Sequence, residues 1–147
     1  TMPDQKNVPL SRIEARSNWV TGAASRSSKK GGVLHLISVF PSGAENMSLD
    51  GYEKLIKHHF PLSGGFEQAL WLEEHQDEFP WLIALLKEKI VIDFWGTDLS
   101  GRKKSRGIVR MRQSLGRWKA GIEWFLPSFV FRDERLSDRV RIAVFAA

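Results

Sequence analysis

The sequence predicts an α+β domain in which three helices pack on one face of a largely antiparallel sheet of about five strands. Three observations carry that prediction. Apolar residues recur with the period of a helix between 50 and 86, five other segments alternate or run apolar with the length of strands, and the 147 residues suffice for one core without external staples.

Taken in order, residues 1–32 hold little periodic apolar pattern, and GAASRSSKKGG at 22–32 reads as a flexible basic loop, so this stretch is expected to be an irregular basic arm preceding a domain at 33–147. Ser11 with Glu14 offers a capping-box start that nothing after it sustains. Residues 33–40 (VLHLISVF) are apolar on both faces and closed by Pro41, the pattern of a strand buried in a sheet. Asp50 and Glu53 open an amphipathic helix, with Tyr52, Leu55, Ile56, His59 and Phe60 at i, i+3, i+4, i+7 and i+8, ending before Pro61. Ser63, Gly64 and Gly65 then make a turn into a second helix over 66–78. Pro80 interrupts that helix and suits the first turn of a third, 81–86, whose apolar character all round marks it as the central core helix. The remaining strands are expected at 90–95, 107–113, 117–125 and 139–145. The link at 114–116 makes a hairpin of 107–113 and 117–125, and TDLSGRKKSR at 97–106 reads as a basic turn.

Composition narrows the functional classes. The absence of cysteine excludes disulfides, thiolate metal sites, iron–sulfur clusters and a cysteine nucleophile, and it fits a cytoplasmic setting. No apolar run reaches the roughly 18 residues of a membrane span. No cofactor motif is present either: phosphate-loop, nucleophile-elbow and paired-histidine zinc patterns are all missing. A net charge of +5 suits a polyanionic partner, and its distribution says more than its total. Residues 1–43 carry +4, 44–96 carry −6 and 97–147 carry +7.

Read with period two, the C-terminal strands place Val109, Met111, Trp118, Ala120, Ile122, Trp124, Val140, Ile142 and Val144 on one face. Arg110, Arg112, Arg117, Lys119, Arg139 and Arg141 fall on the other, with Glu123 as its main acidic member. Arg102, Lys103, Lys104 and Arg106 extend this expected basic platform, which has the cation density that a phosphate backbone requires. A half-exposed antiparallel sheet also shows polar residues to water, and basic side chains protect strand edges, so the platform has a purely structural reading too. Over the length of a hairpin, the run 106–122 with Arg110, Arg112, Gly116, Arg117, Trp118, Ala120 and Ile122 resembles the β-hairpin of plant-type AP2 DNA-binding domains. The resemblance implies arginines and a tryptophan facing the major groove. The long amphipathic helix that follows the sheet in that family is replaced here by FLPSFVF.

Other clusters carry less. Glu73, Glu74, Asp77 and Glu78 share a helical face, but His75 points about a quarter turn away, so they read as a solvated acidic face and not as a metal site. His35, His58 and His59 read as polar groups satisfied within strand or helix. Asp93, Asp98 and Glu123 would have to converge to serve a metal-dependent nuclease. Pro127 keeps the aromatic run 124–131 out of a central strand, which leaves Trp124, Phe125, Phe129 and Phe131 to cap the core or to meet a protein partner or second copy. The leading expectation is a non-catalytic nucleic-acid-binding module using the basic sheet face and loop 97–106. The alternative is an assembly domain using 124–131 and the acidic helix 66–78.

Overall fold

The long strand β3 (Val91–Gly101) organises the sheet, because it pairs with three other strands along its 11 residues. In the computed structural model, which describes residues 9–25, 32–38, 47–130 and 139–145, these neighbours are β1 (Val20–Ser25), β4 (Arg106–Ser114) and β6 (Val140–Phe145). Beyond β4 lies β5 (Arg117–Phe125), and beyond β6 lies β2 (Leu34–Ile37), giving the order β2-β6-β3-β4-β5 with β1 on the C-terminal half of β3. The β3–β6 pairing is parallel and the others are antiparallel, so the sheet is mixed.

The fold class is as expected, with three differences. The first lies in the arm: residues within 1–32 form a short helix, α1 (Leu10–Glu14), and then β1. Ile13 and Val20 are buried in the main core, two isolated apolar residues that carry no periodicity for a sequence reading to find. Second, β3 runs on to Gly101 through the expected turn, and the basic tip shrinks to Arg102–Lys104 with Ser105. The polar and glycine residues of 97–101 are tolerated there because β1 and β4 supply their backbone partners. Third, helices cover both faces.

On one face α3 (Phe66–His75), α4 (Pro80–Ala84) and α1 bury Ile92, Phe94, Val109, Met111, Trp118 and Ala143. On the other, α2 (Leu49–His59) sets Leu49, Tyr52 and Ile56 against Trp95, Ile108, Phe125, Ile142 and Val144. Ser48 caps α2, its hydroxyl accepting from the Gly51 N–H, two positions earlier than the acidic pair suggested. The segment at 81–86 is no central helix: Pro80 opens one short turn of α4, Leu82 is buried and Trp81 is 47% exposed. Strand β2 lies at the rim of the sheet, with His35 exposed; the end of the expected strand at 39–40 lies outside the described residues.

Past Asp93 the β3–β6 pairing stops and the backbone at 62–64 fills the gap. Phe145 N–H donates to the Leu62 carbonyl (2.7 Å), Gly64 N–H to Ala143 (2.9 Å) and Gly96 N–H to Gly64 (2.7 Å). A Cβ at Gly96 would stand 2.4 Å from the Ser63 carbonyl oxygen, so this close approach requires glycine. At the far end of the sheet, Leu115 (φ 53°) and Gly116 (φ 76°) close the β4–β5 hairpin in two residues, as a type I′ turn demands.

Candidate functional site

The charge segregation of the sequence is largely consumed inside the fold. Arg12 reaches Glu67 and Glu74, and Arg16 forms a two-pronged pair with Glu73, while Glu74, Asp77 and Glu78 are exposed as expected of a solvated acidic face. Arg117 makes a second such pair with Asp77, both bonds at 3.0 Å. Arg106 joins Asp50 and Glu53 of α2, and Lys57 links Glu53 to Asp98.

Arg110 is the clearest departure from the expected basic platform. Its side chain is 11% exposed, and its guanidinium joins Asp93, itself 1% exposed, to Glu123. Burial alone would lower the Arg110 pKa, but Asp93 and Glu123 outweigh it and keep the guanidinium charged. Burial and the Asp93 charge push the phenol of Tyr52 far up, so it stays neutral beside the cluster. Glu123 also accepts from Arg112. Its burial opposes ionisation, yet the two arginines hold its carboxyl below the ordinary glutamate range. These carboxylates therefore do not gather into a nuclease centre: Asp93 and Glu123 are bridged by a cation, and Asp98 belongs to the Lys57 network. Among the described residues no group of three or more His, Asp or Glu is placed to hold a metal.

Two further residues move. The parity of β6 is opposite to that expected: Ile92 faces the α3 core and is in register with Arg141, so Arg141 lies on the α3 and α4 face, lining a cavity with Trp81 and Leu85. Ile142 and Val144 lie on the α2 face. Arg139 is exposed just before β6. Trp118 is buried, its indole N–H donating to the Leu82 carbonyl at 2.7 Å, so it faces no groove of the kind that the hairpin's resemblance implied. In the aromatic run, Phe125 is buried and stacks edge-on against Phe129, while Leu126 is exposed; Phe131 lies outside the described residues.

What remains of the platform is a cleft. Helix α2 covers only one end of its sheet face, and the other end, toward the β4–β5 turn, is open. There Arg110, Arg112, Lys119 and Arg16 line a cavity of about 440 Å³ with Gly121 and Glu123. Arg112 stands opposite Lys119 in the ladder and Arg110 opposite Gly121, where a side chain would meet nothing within 4 Å. The outer edge of β5 forms one wall and is blocked by side chains. Gln76 both accepts from the Trp118 N–H and donates to its carbonyl, and Glu73 accepts from the Ala120 N–H while Arg16 donates to the Ala120 carbonyl (2.9 Å each). Burial would raise the Glu73 carboxyl, but the Arg16 and Ala120 hydrogen bonds and the charges of Arg16 and Lys119 together hold it down. Arg16 was invisible to sequence reading because it lies in a segment without pattern, 104 positions from the residue it touches.

The second basic element, Arg102, Lys103 and Lys104, is exposed at the β3–β4 tip. From Lys104 at this tip to Arg110 at the near end of the cleft is six residues, or about 20 Å. The expected continuous platform is thus two basic sites with a neutralised stretch between them. No protein-family model, curated protein or solved structure matches the chain.

Proposed function

We propose that the chain is a non-catalytic nucleic-acid-binding module that takes the phosphate backbone in the cleft on β4 and β5. The observation that supports this reading is the convergence of Arg16, Arg110, Arg112 and Lys119 on one open cavity with Glu123 as its lining acid. Their roles differ. Arg110 is fixed between two carboxylates and supplies a permanent field, whereas Lys119 and Arg112, the latter sharing Glu123 with Arg110, stand at the exposed rim, where they can meet phosphate oxygens. Base edges are not read by this geometry, so sequence-independent binding is expected.

The test is oligonucleotide affinity as a function of salt for the wild-type chain and the Arg112→Ala/Lys119→Ala variant. Loss of two phosphate contacts should weaken binding across all sequences and lower the salt slope by about 1.5 to 2 units. An unchanged slope in the variant sinks the reading. Leu126, 51% exposed, and Phe129, 37% exposed, favour a second one, an assembly surface beside the start of α2. Concentration-dependent self-association of a chain that ignores oligonucleotide would replace the first reading by the second.

A further inference from the structure

The segment at 15–19 runs along the outer edge of β5. Arg16 touches Ala120 there, and Ser17 accepts a hydrogen bond from the Trp124 indole N–H at 2.8 Å. Ala15 and Arg16 line the cleft; Trp19, at the other end of the segment, lines a second cavity of about 220 Å³ together with Lys103, Ser105, Trp124, Phe125 and Leu126. Trp124 is a fixed platform in this groove. Its ring lies on Gly101 and Gly107, where an added Cβ would fall 2.4 and 2.8 Å from a ring carbon. The two glycines thus let the ring lie directly against the backbone, and the Ser17 bond fixes its rotation. Across the groove the Lys103 ammonium stands 5.9 Å from the centroid of the Trp19 ring, and Arg102 and Lys104 are exposed beside it.

We propose that this groove holds an unpaired base of a single-stranded nucleic acid, stacked against Trp124 and Trp19, with Arg102, Lys103 and Lys104 neutralising the adjacent phosphates. The inference rests on the backbone reading of the cleft and adds to it which form of nucleic acid is bound. A duplex keeps the faces of its bases paired and stacked on one another, whereas a single strand offers them to an aromatic platform at a smaller unstacking cost. Charge points to the same occupant, since an apolar groove beside three exposed cations suits a ligand that alternates flat rings with anions. Lys119 and Trp124 are five residues apart on β5, about 17 Å along the strand, and point to opposite faces of the sheet, so a single strand that occupies both sites crosses the outer edge of β5.

The experiment uses the full chain and three probes: heparin, an oligothymidine of about ten nucleotides, and a duplex of equal length. The single strand should bind more tightly than the duplex. Trp124→Ala and Trp19→Ala should each cost about tenfold or more in single-strand affinity while leaving retention on heparin unchanged, and Trp124→Phe should keep most of the affinity. Trp19→Ala carries the test should Trp124→Ala fail to fold. Retention on heparin with single-strand affinity indifferent to both tryptophans, or duplex binding as tight as single-strand binding, overturns the stacking inference and leaves the backbone reading standing. Failure of the wild-type chain to bind heparin and both oligonucleotides overturns the two together.

Discussion

Arg110 and Lys119 occupy neighbouring strands, face the same cleft and are separated in the ladder by one pleat, yet they are opposite kinds of cation. Arg110 is buried and held by Asp93 and Glu123, while Lys119 is exposed. The difference teaches that a positive stretch of sequence marks an interface only after the pairs it makes within the fold are subtracted. A segment carrying +7 beside one carrying −6 is first of all a set of instructions for docking one on the other. Arg106 on α2 and Arg110 on Asp93 are those instructions carried out.

The sharpest way to break the comparison is to truncate both residues. Arg110→Ala leaves the buried Asp93 carboxylate without its cation and should cost about 3 to 5 kcal/mol in urea unfolding. Lys119→Ala should cost about half a kcal/mol or less. Equal losses would mean that the buried and rim cations are not distinct, and the cleft would lose its division into a fixed field and a contacting rim.

A smaller effect sharpens the same contrast at the sheet edge. Glu73 joins Arg16 to the Ala120 N–H, and its carboxyl is held below the usual glutamate value of about 4.3. A depressed folded-state pKa contributes stability that is fully present above the unfolded value and disappears as pH falls through the folded one. Glu73→Gln should therefore cost about 1 to 3 kcal/mol at neutral pH and make the stability curve flatter below about pH 4. Unfolding midpoints measured from neutral pH down to about pH 3 check this. Parallel curves for variant and wild type would remove Glu73 from the clamp that seals β5.

The fold was readable wherever one element declares its own period. The strand at 117–125 was placed to the residue, since alternation of Trp118, Ala120, Ile122 and Trp124 with polar neighbours needs no knowledge of partners. The capped, amphipathic α2 was placed within two residues. Reading failed where long-range contacts decide. Strand β1 has no pattern because its residues are small and half-exposed, and it is specified by the unpaired edge of β3. The parity of β6 was inverted because Arg139 and Arg141 alternate with apolar residues as if one face met water, whereas both faces of β6 are covered and the register with β3 sets the parity instead. In the cleft, Arg112, Lys119 and Glu123 were legible as one face of a hairpin. Arg16 and the Trp19 groove were not, because both are assembled by the segment at 15–19 lying along an edge that no local signal announces.

The smallest expected effect belongs to the pair that looks best on geometry alone. Arg117 and Asp77 make two parallel bonds at 3.0 Å, the fork that planar guanidinium and carboxylate groups favour. The hydrogen bond from Arg117 lowers the Asp77 pKa, but both groups stand in solvent, where attraction between ions is screened and holding two side chains in one geometry costs entropy. Asp77→Asn should leave the unfolding midpoint where it was at physiological salt. It should also free Arg117, which sits on the same strand as Lys119, to take part in phosphate binding. Oligonucleotide affinity measured at low salt is then expected to rise modestly, with a steeper salt slope, while stability stays constant. A lower melting temperature with unchanged affinity would reverse the assignment. The pair would then be one of the internal contacts that dock the acidic helix, and Arg117 would belong with Arg110 and not with Lys119.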